Sequence, residues 1–226
     1  MKVLVTGVGG QLGHDVMNEL ARRGHQGVGS DIAPVYSGIA DGSAVTGMPY
    51  VAMDITNEQQ VRQVMDQVRP DVVIHCAAWT AVDLAEDADK QPKVRAINVD
   101  GTAHLAQACR EMDCKMMYIS TDYVFNGQGE TPWQPDCKDY QPLNYYGEAG
   151  RRAGRQLPAG EVFHRADRLG VRPERQELHQ DHAAAGQDPR QAAGGVRPDR
   201  HAHLYPGPGA AAGGHDRVRQ VRVLPR

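Results

Sequence analysis

Thr6–Gly13 reads TGVGGQLG, and it falls where the short apolar run KVLVT (Lys2–Thr6) gives way to QLGHDVMNELARRGH. In that second stretch Leu12, Val16, Leu20 and Ala21 recur at helical spacing. A strand, a glycine-rich turn and a helix in this order predict the opening unit of a dinucleotide-binding fold. Gly7 permits a tight turn, Gly10 lets the backbone approach a pyrophosphate, and Gly13 lets the helix pack closely on the sheet. The helix start offers unpaired N–H groups and a positive dipole end to phosphates, so Gln11 and Leu12 are counted with the cofactor-binding residues. Glycines also mark plain turns; the position between strand and helix is what favours the cofactor reading.

Outward from this unit, strand and helix alternate. GVGSD gives a weak second strand ending in Asp31, and MPYVAMD a third. TNEQQVRQVMDQVRP starts with a Thr56 or Asn57 cap and continues as a helix whose Val61, Val64, Met65 and Val68 share a face. DVVIHCAA reads as a parallel strand covered on both faces, KVRAINVDGTAHLAQACREM as a long helix, and KMMYISTDYVF as a fifth strand. The alternation predicts a doubly wound α/β domain, a parallel sheet with helices on both faces and right-handed crossovers.

Candidate site residues follow at the strand ends. Asp31 lies where an acidic residue meets the adenosine ribose 2′-hydroxyl, which favours NAD over NADP; as part of SDIAP it also suits a turn cap. Asp54, with Ile55 beside it, is similarly placed for the adenine. After the fourth strand, Ala77 and Ala78 are small enough for the backbone to sit against a cofactor that Trp79 covers, while His75 and Trp79 also suit plain packing. Asn98, polar on an apolar helix, is counted with the cofactor site, although capping of neighbouring carbonyls is an equal use for it. Ser120, Thr121, Asp122 and Tyr123 bring hydroxyls to the same edge, either to donate to a substrate carbonyl or to cap a turn. Downstream, Tyr146 is a phenol able to give a proton to a ketone oxygen if a cation lowers its pKa. The usual cation is a lysine one helical turn later, and Gly150 stands there.

The totals bound the rest. A formal charge of −3 with mixed signs argues against a nucleic-acid partner, and no apolar run reaches the length of a membrane span. MKVLVTGVGG meets glycines too early for a signal peptide, so the expectation is a cytoplasmic protein. Cys76, Cys109, Cys114 and Cys137 lack metal-site spacing and read as reduced thiols. Residues 1–149 have ordinary globular composition. Residues 150–226 contain no Lys, Ile, Met, Ser, Thr, Asn, Cys or Trp, yet hold 14 of the 20 arginines. A tail of that composition is expected to be poorly ordered, because it buries too little apolar surface to offset chain entropy.

Up to about residue 148, TGVGGQLG, HCAAWTAVDLAE, INVDGT and YISTDYVFNGQGETPWQPDCKDYQPLNYYG resemble the dTDP-4-dehydrorhamnose reductases, extended short-chain dehydrogenases/reductases. The resemblance implies reduction of the 4-keto group of dTDP-6-deoxy-L-lyxo-4-hexulose by NADPH or NADH, with Thr121 partnering the keto oxygen and Tyr146 giving the proton. It places Gly7, Gly10, Gly13 and Asp31 in the cofactor site and implies a homodimer in the full-length form. Some relatives carry a metal, expected to be Mg, at a dimer contact through an acidic residue where Asp15 stands; its other ligands are not assigned. Rival readings are an NAD-dependent sugar-nucleotide epimerase or dehydratase, and a non-catalytic subunit like the reductase-like regulator of methionine adenosyltransferase.

The family continues after YG with a lysine, a helix, a strand and a substrate-binding region, and this sequence departs from it there. In permitted codons shifted by one base, Gly160–His182 reads EKYFIVRIAWVFGLNGKNFIKTM and Gly194–Tyr205 reads VVCDQIGTPTYT. Both strings resemble the family's continuation, in the right order. The expectation is a frameshift near Ala149 and Gly150, with the substrate-binding part scrambled beyond it.

Overall fold

The computed structural model describes residues 1–128, 133–134 and 137–157. Its first strand, β1 (Lys2–Thr6), is buried from Val3 to Thr6. Helix α1 (Gln11–Arg22) buries Gly13, His14, Met17 and Leu20, and β2 (Gln26–Asp31) returns beside β1. The third strand, β3, is only Tyr50–Ala52, shorter than the predicted MPYVAMD. One further bond, Met53 N–H to Asp31 O at 2.8 Å, carries the pairing past its end.

Helix α2 (Glu58–Val68) starts at Asn57, not Thr56, because the Asn57 side chain accepts the Gln60 N–H at 3.0 Å. Its Val61, Val64, Met65 and Val68 are the buried face that the spacing predicts. After β4 (Val72–His75), the long predicted helix is present as α3 (Gln91–Arg95), a π-helical turn (Ala96–Gly101) and α4 (Thr102–Glu111) without a break. Strand β5 is Lys115–Tyr118 and not the whole of KMMYISTDYVF. Its last pair is His75 with Tyr118, so Ile119 onward has no strand to bond to, and Asp122–Val124 turn as a 3₁₀ helix. Helix α5 (Tyr145–Gly154) is capped by the Asn144 side chain on Gly147 N–H and runs through residue 150. Of the Arg-rich stretch 150–226, residues 158–226 lie outside the described residues.

The five strands are parallel in the order β3-β2-β1-β4-β5. The chain runs outward from β1 to β3, then returns to the other side of β1, which puts the switch point between β1 and β4. Alternation along β1 divides the core. Leu4 packs with Val61, Met65, Leu105 and Met116 on one face, while Val3 and Val5 pack with Val8, Met17 and Leu20 on the other. A smaller cluster of Ala85, Val94, Val99 and Ala149 seats α5, with Trp79, Tyr145 and Tyr146 partly buried against it.

Candidate functional site

The residues singled out by sequence stand in a row along the carboxyl edge of the sheet. In strand order they are Asp54–Ile55 after β3, Asp31 closing β2, the glycine turn after β1, Ala77–Ala78 after β4 and Thr121 after β5.

At the centre, Gly7 adopts φ +72°, and a Cβ there would lie 2.6 Å from Ala77 N and 2.7 Å from Ala77 Cα. The backbone leaving β4 therefore presses directly on the turn. A Cβ on Gly13 would lie 2.3 Å from Gly7 O, so the helix start and the turn are equally close. Gly10 precedes the helix without a side-chain cap, and the first turn carries no acidic residue. The leading N–H groups, at Gln11, Leu12 and Gly13, thus face an uncompensated positive helix end. Asp31 closes over this turn: its Oδ2 accepts the Gly9 N–H at 2.9 Å and its Oδ1 the Ile32 N–H at 2.7 Å. Gly9 is a site residue the glycine spacing does not single out; a Cβ on it would lie 3.0 Å from Asp31 Oδ2.

At the β3 end, Asp54 Oδ1 accepts both the N–H (2.9 Å) and the hydroxyl (2.7 Å) of Thr56. Ile55 beside it is buried.

At the β4 end a buried polar chain sets the backbone. Thr102 donates its hydroxyl to Asn98 O at 2.8 Å, so it can only accept from His75 Nε2, 3.1 Å away. The ring is then the Nε2–H tautomer, and bare Nδ1 accepts the Thr6 hydroxyl at 2.8 Å. Thr6 Oγ1 in turn accepts the Ala77 N–H at 3.2 Å. Burial pushes the His75 pKa down to about 4, which keeps the ring neutral, and pushes the Cys76 thiol up to about 12. Asn98, within the π-helical turn, accepts the Trp79 N–H at 2.7 Å and donates to Trp79 O at 3.0 Å. It fixes the loop carrying Ala77 and Ala78 and is not itself open at the edge. Lys93 Nζ stands 5.6 Å from the Trp79 ring centroid.

At the far end, Thr121 Oγ1 accepts the Tyr123 N–H at 3.3 Å and donates toward Asp122 Oδ1 at 3.4 Å. Tyr146, in the first turn of α5, meets Tyr123 edge to face with ring centroids 5.6 Å apart. Burial raises the Tyr146 phenol above its ordinary pKa; hydrogen bonding with Thr121 opposes this, while Asp122 and Tyr123 add to it. Gly147 lets α5 sit on the 3₁₀ turn, since a Cβ there would overlap Tyr123 O at 2.1 Å. Gly150, one turn on, faces Thr121 Cγ2 and Val124 Cγ1, which a Cβ would meet at 3.1 and 3.4 Å. The nearest cations of α5 are committed elsewhere: Arg151 and Arg152 both bind Glu148, at 2.6–2.8 Å.

Among the described residues no group of three His, Cys, Asp or Glu is arranged to hold a metal. Asp15 lies 3.2 Å from the buried His14, which also meets Asp41 at 3.1 Å. The four cysteines are free thiols. No described helix is long and apolar enough to cross a membrane.

The family model described as "RmlD substrate binding domain" matches residues 1–158. A dTDP-4-dehydrorhamnose reductase of Streptomyces griseus is 39% identical over 154 residues, covering 66% of this chain and 43% of that protein. One from Mycolicibacterium smegmatis is 34% identical, covering 69% and 40%. Among solved structures, a dTDP-4-dehydrorhamnose reductase from Bacillus anthracis in complex with NADP superposes with a TM-score of 0.60 at 30% identity, over 72% of this chain and 51% of that one. A UDP-glucose 4-epimerase from Brucella ovis in complex with NAD gives 0.60 at 27%, over 69% and 46%. The chain spans less than half the length of these two curated relatives.

Proposed function

The chain belongs to the RmlD substrate binding domain family, and from that membership we propose that it carries the cofactor-binding and proton-donating part of a dTDP-4-dehydrorhamnose reductase. The reaction is reduction of the 4-keto group of dTDP-6-deoxy-L-lyxo-4-hexulose with NADH or NADPH. The observation that supports it most is the row of groups on the carboxyl edge, in the order a dinucleotide needs. Asp54 and Ile55 suit the adenine, Asp31 the ribose, the uncapped start of α1 the pyrophosphate, and Ala77–Ala78 the nicotinamide half. Gly7 and Gly13, where a Cβ would lie 2.6 Å from Ala77 N and 2.3 Å from Gly7 O, keep the turn, the β4 end and the helix start close together, which fits that backbone approach. A reduced nicotinamide, when bound there, would supply hydride for C4 of the sugar. Thr121 donates a hydrogen bond to the keto oxygen and Tyr146 gives it the proton, so negative charge does not accumulate as the C–H bond forms.

A phenol does this well when a cation brings its pKa toward the working pH. Here burial and Asp122 move Tyr146 the other way, and Gly150 occupies the place of the cation. The reading extends to the sequence from about residue 150 as the product of a shifted frame, so that the 226-residue chain binds cofactor weakly and turns over no keto-sugar. The purified protein is expected to change the fluorescence of NADH or NADPH on binding, with no oxidation of either when the keto-sugar is added. Turnover would overturn the inactivity, and failure to bind either nucleotide would overturn the cofactor site. The gene read across codons 145–165 tests the frame: codons incompatible with the shifted strings exclude it.

A further inference from the structure

The junction of the π-helical turn with α4 grips the segment that follows β3 at two points. Gly101 is the first: a Cβ there would lie 2.8 Å from both Cγ1 and Cδ1 of Ile55, so helix backbone and side chain are in contact. The second is His104, three residues on and on the same face, whose Nδ1 lies 2.9 Å from Ile55 O. A carbonyl only accepts, so Nδ1 carries the hydrogen and donates it. The two preceding peptides are fixed independently, since Asp54 O of the 54–55 peptide accepts the Asn57 N–H at 3.0 Å and Asp54 N–H of the 53–54 peptide donates to Gln60 Oε1 at 2.6 Å. With Asn57 holding the 54–55 peptide plane and His104 the 55–56 plane, Ile55 has little freedom to rotate. In a planar trans peptide the N–H points opposite to the carbonyl, so the Ile55 N–H is held turned away from the Asp54 carbonyl. An adenine edge carries an amino donor next to a ring-nitrogen acceptor. A carboxylate and a peptide N–H one residue apart complement that edge only when both are held still.

We infer that His104 is a positioning residue for adenine recognition: it touches no cofactor and acts by locking the Ile55 carbonyl, and it sets affinity for the adenosine half of the dinucleotide alone. This rests on the cofactor reading above. The test is isothermal titration of the full chain and of His104→Leu and His104→Asn with NADH and with reduced nicotinamide mononucleotide, which lacks the adenosine half. Leucine removes the donor; the asparagine amide places a donor near Nδ1. His104→Leu is expected to bind NADH about tenfold more weakly, as loss of one positioning hydrogen bond implies. His104→Asn recovers most of that loss, and the mononucleotide binds all three proteins alike. Equal NADH affinity in His104→Leu, or an equal loss for NADH and the mononucleotide, overturns the inference. Midpoints of thermal unfolding without ligand separate a general loss of fold, which weakens both ligands and is not rescued. If the unaltered chain binds the mononucleotide but not NADH, the adenine segment is not a binding element and the inference falls while the nicotinamide end stands. If it binds neither, the cofactor reading itself fails.

Discussion

At Asp31 one carboxylate serves two peptide N–H groups, Gly9 on the glycine turn and Ile32 on its own strand end. Its position is therefore fixed before any ribose arrives, and a 2′-phosphate brought to it meets a negative group that cannot swing away. Asp31→Asn is expected to raise NADPH affinity relative to NADH about tenfold, as removal of a close like charge implies, in fluorescence titrations. An unchanged ratio would place the ribose elsewhere. Tyr146 gives a second residue-scale expectation. In Gly150→Lys a cation one turn after the phenol lowers its pKa, read as the tyrosinate absorbance that disappears in the matching Tyr146→Phe background. The Cβ enters at 3.1 Å from Thr121 Cγ2, a gap a side-chain methyl can widen by a few tenths of an ångström. If the phenol titrates as before, the lysine does not reach it. His75 gives a third, concerning pH. Its folded pKa, about 4, lies below its ordinary 6.5, so the unfolded chain binds the proton more readily. Its contribution to stability is complete above pH 6.5 and is lost as pH falls toward 4, an effect on the order of 3 kcal/mol. Urea unfolding across that window, flatter in His75→Gln than in the unaltered chain, checks it.

Between elements, the joint of α5 with the Asp122–Val124 turn depends on two glycines three residues apart. The distances decide which matters. At Gly147 a Cβ would overlap a backbone carbonyl at 2.1 Å, whereas at Gly150 it would meet methyl groups at 3.1 and 3.4 Å. Gly→Ala in a helix interior gains about 1 kcal/mol of propensity. Overpacking costs about 1–3 kcal/mol, and the upper part of that range suits a clash with backbone. Gly147→Ala is thus expected to destabilise by about 1–2 kcal/mol and Gly150→Ala to be neutral or slightly stabilising, as shifts in urea midpoint. The reverse order would mean that the helix docks some other way. The same scale shows what the sequence could and could not tell. The glycine turn, α1 and α2 were legible because the glycine spacing, the apolar period of both helices and the Asn57 cap of α2 are local. The end of β5 was not, because it depends on where its neighbour β4 stops, a fact held some forty residues away. The π-helical turn at Ala96–Gly101 was also hidden: it differs from the helices around it in which backbone carbonyl each N–H reaches, and no residue type signals that.

For the molecule as a whole, the fold class was readable because alternating strands and helices admit few topologies; the order β3-β2-β1-β4-β5 is one of the few doubly wound orders that alternation allows, and it is the structure that selects it. The candidate site was readable only in pieces. Gly7, Asp31 and Thr121 are far apart in sequence and meet because each closes a parallel strand at the same edge. The capping use of Asn98 was open from the sequence, and it donates to Trp79 O; what escaped was the service role of Gly9 under the Asp31 carboxylate and of His104 on Ile55 O. Neither has a local signal, since each acts on a group supplied by another element. Every residue assigned to the cofactor or to the keto oxygen lies at or before Tyr146, so a chain stopped after residue 157 is expected to bind NADH as tightly as the 226-residue chain. A weaker complex would show that later residues contribute.

The hydrogen-bond chain through His75 begins at a peptide N–H, Ala77, and ends at a peptide carbonyl, Asn98. Both ends are fixed by the backbone, so no hydroxyl between them can turn round unless the others follow. The imidazole therefore has one orientation of its proton and no route for exchanging it short of opening the core. That proton is a built-in reporter: a single, slowly exchanging downfield imidazole resonance in water would announce that β1, β4 and α4 have assembled, and its disappearance would time their separation without any label.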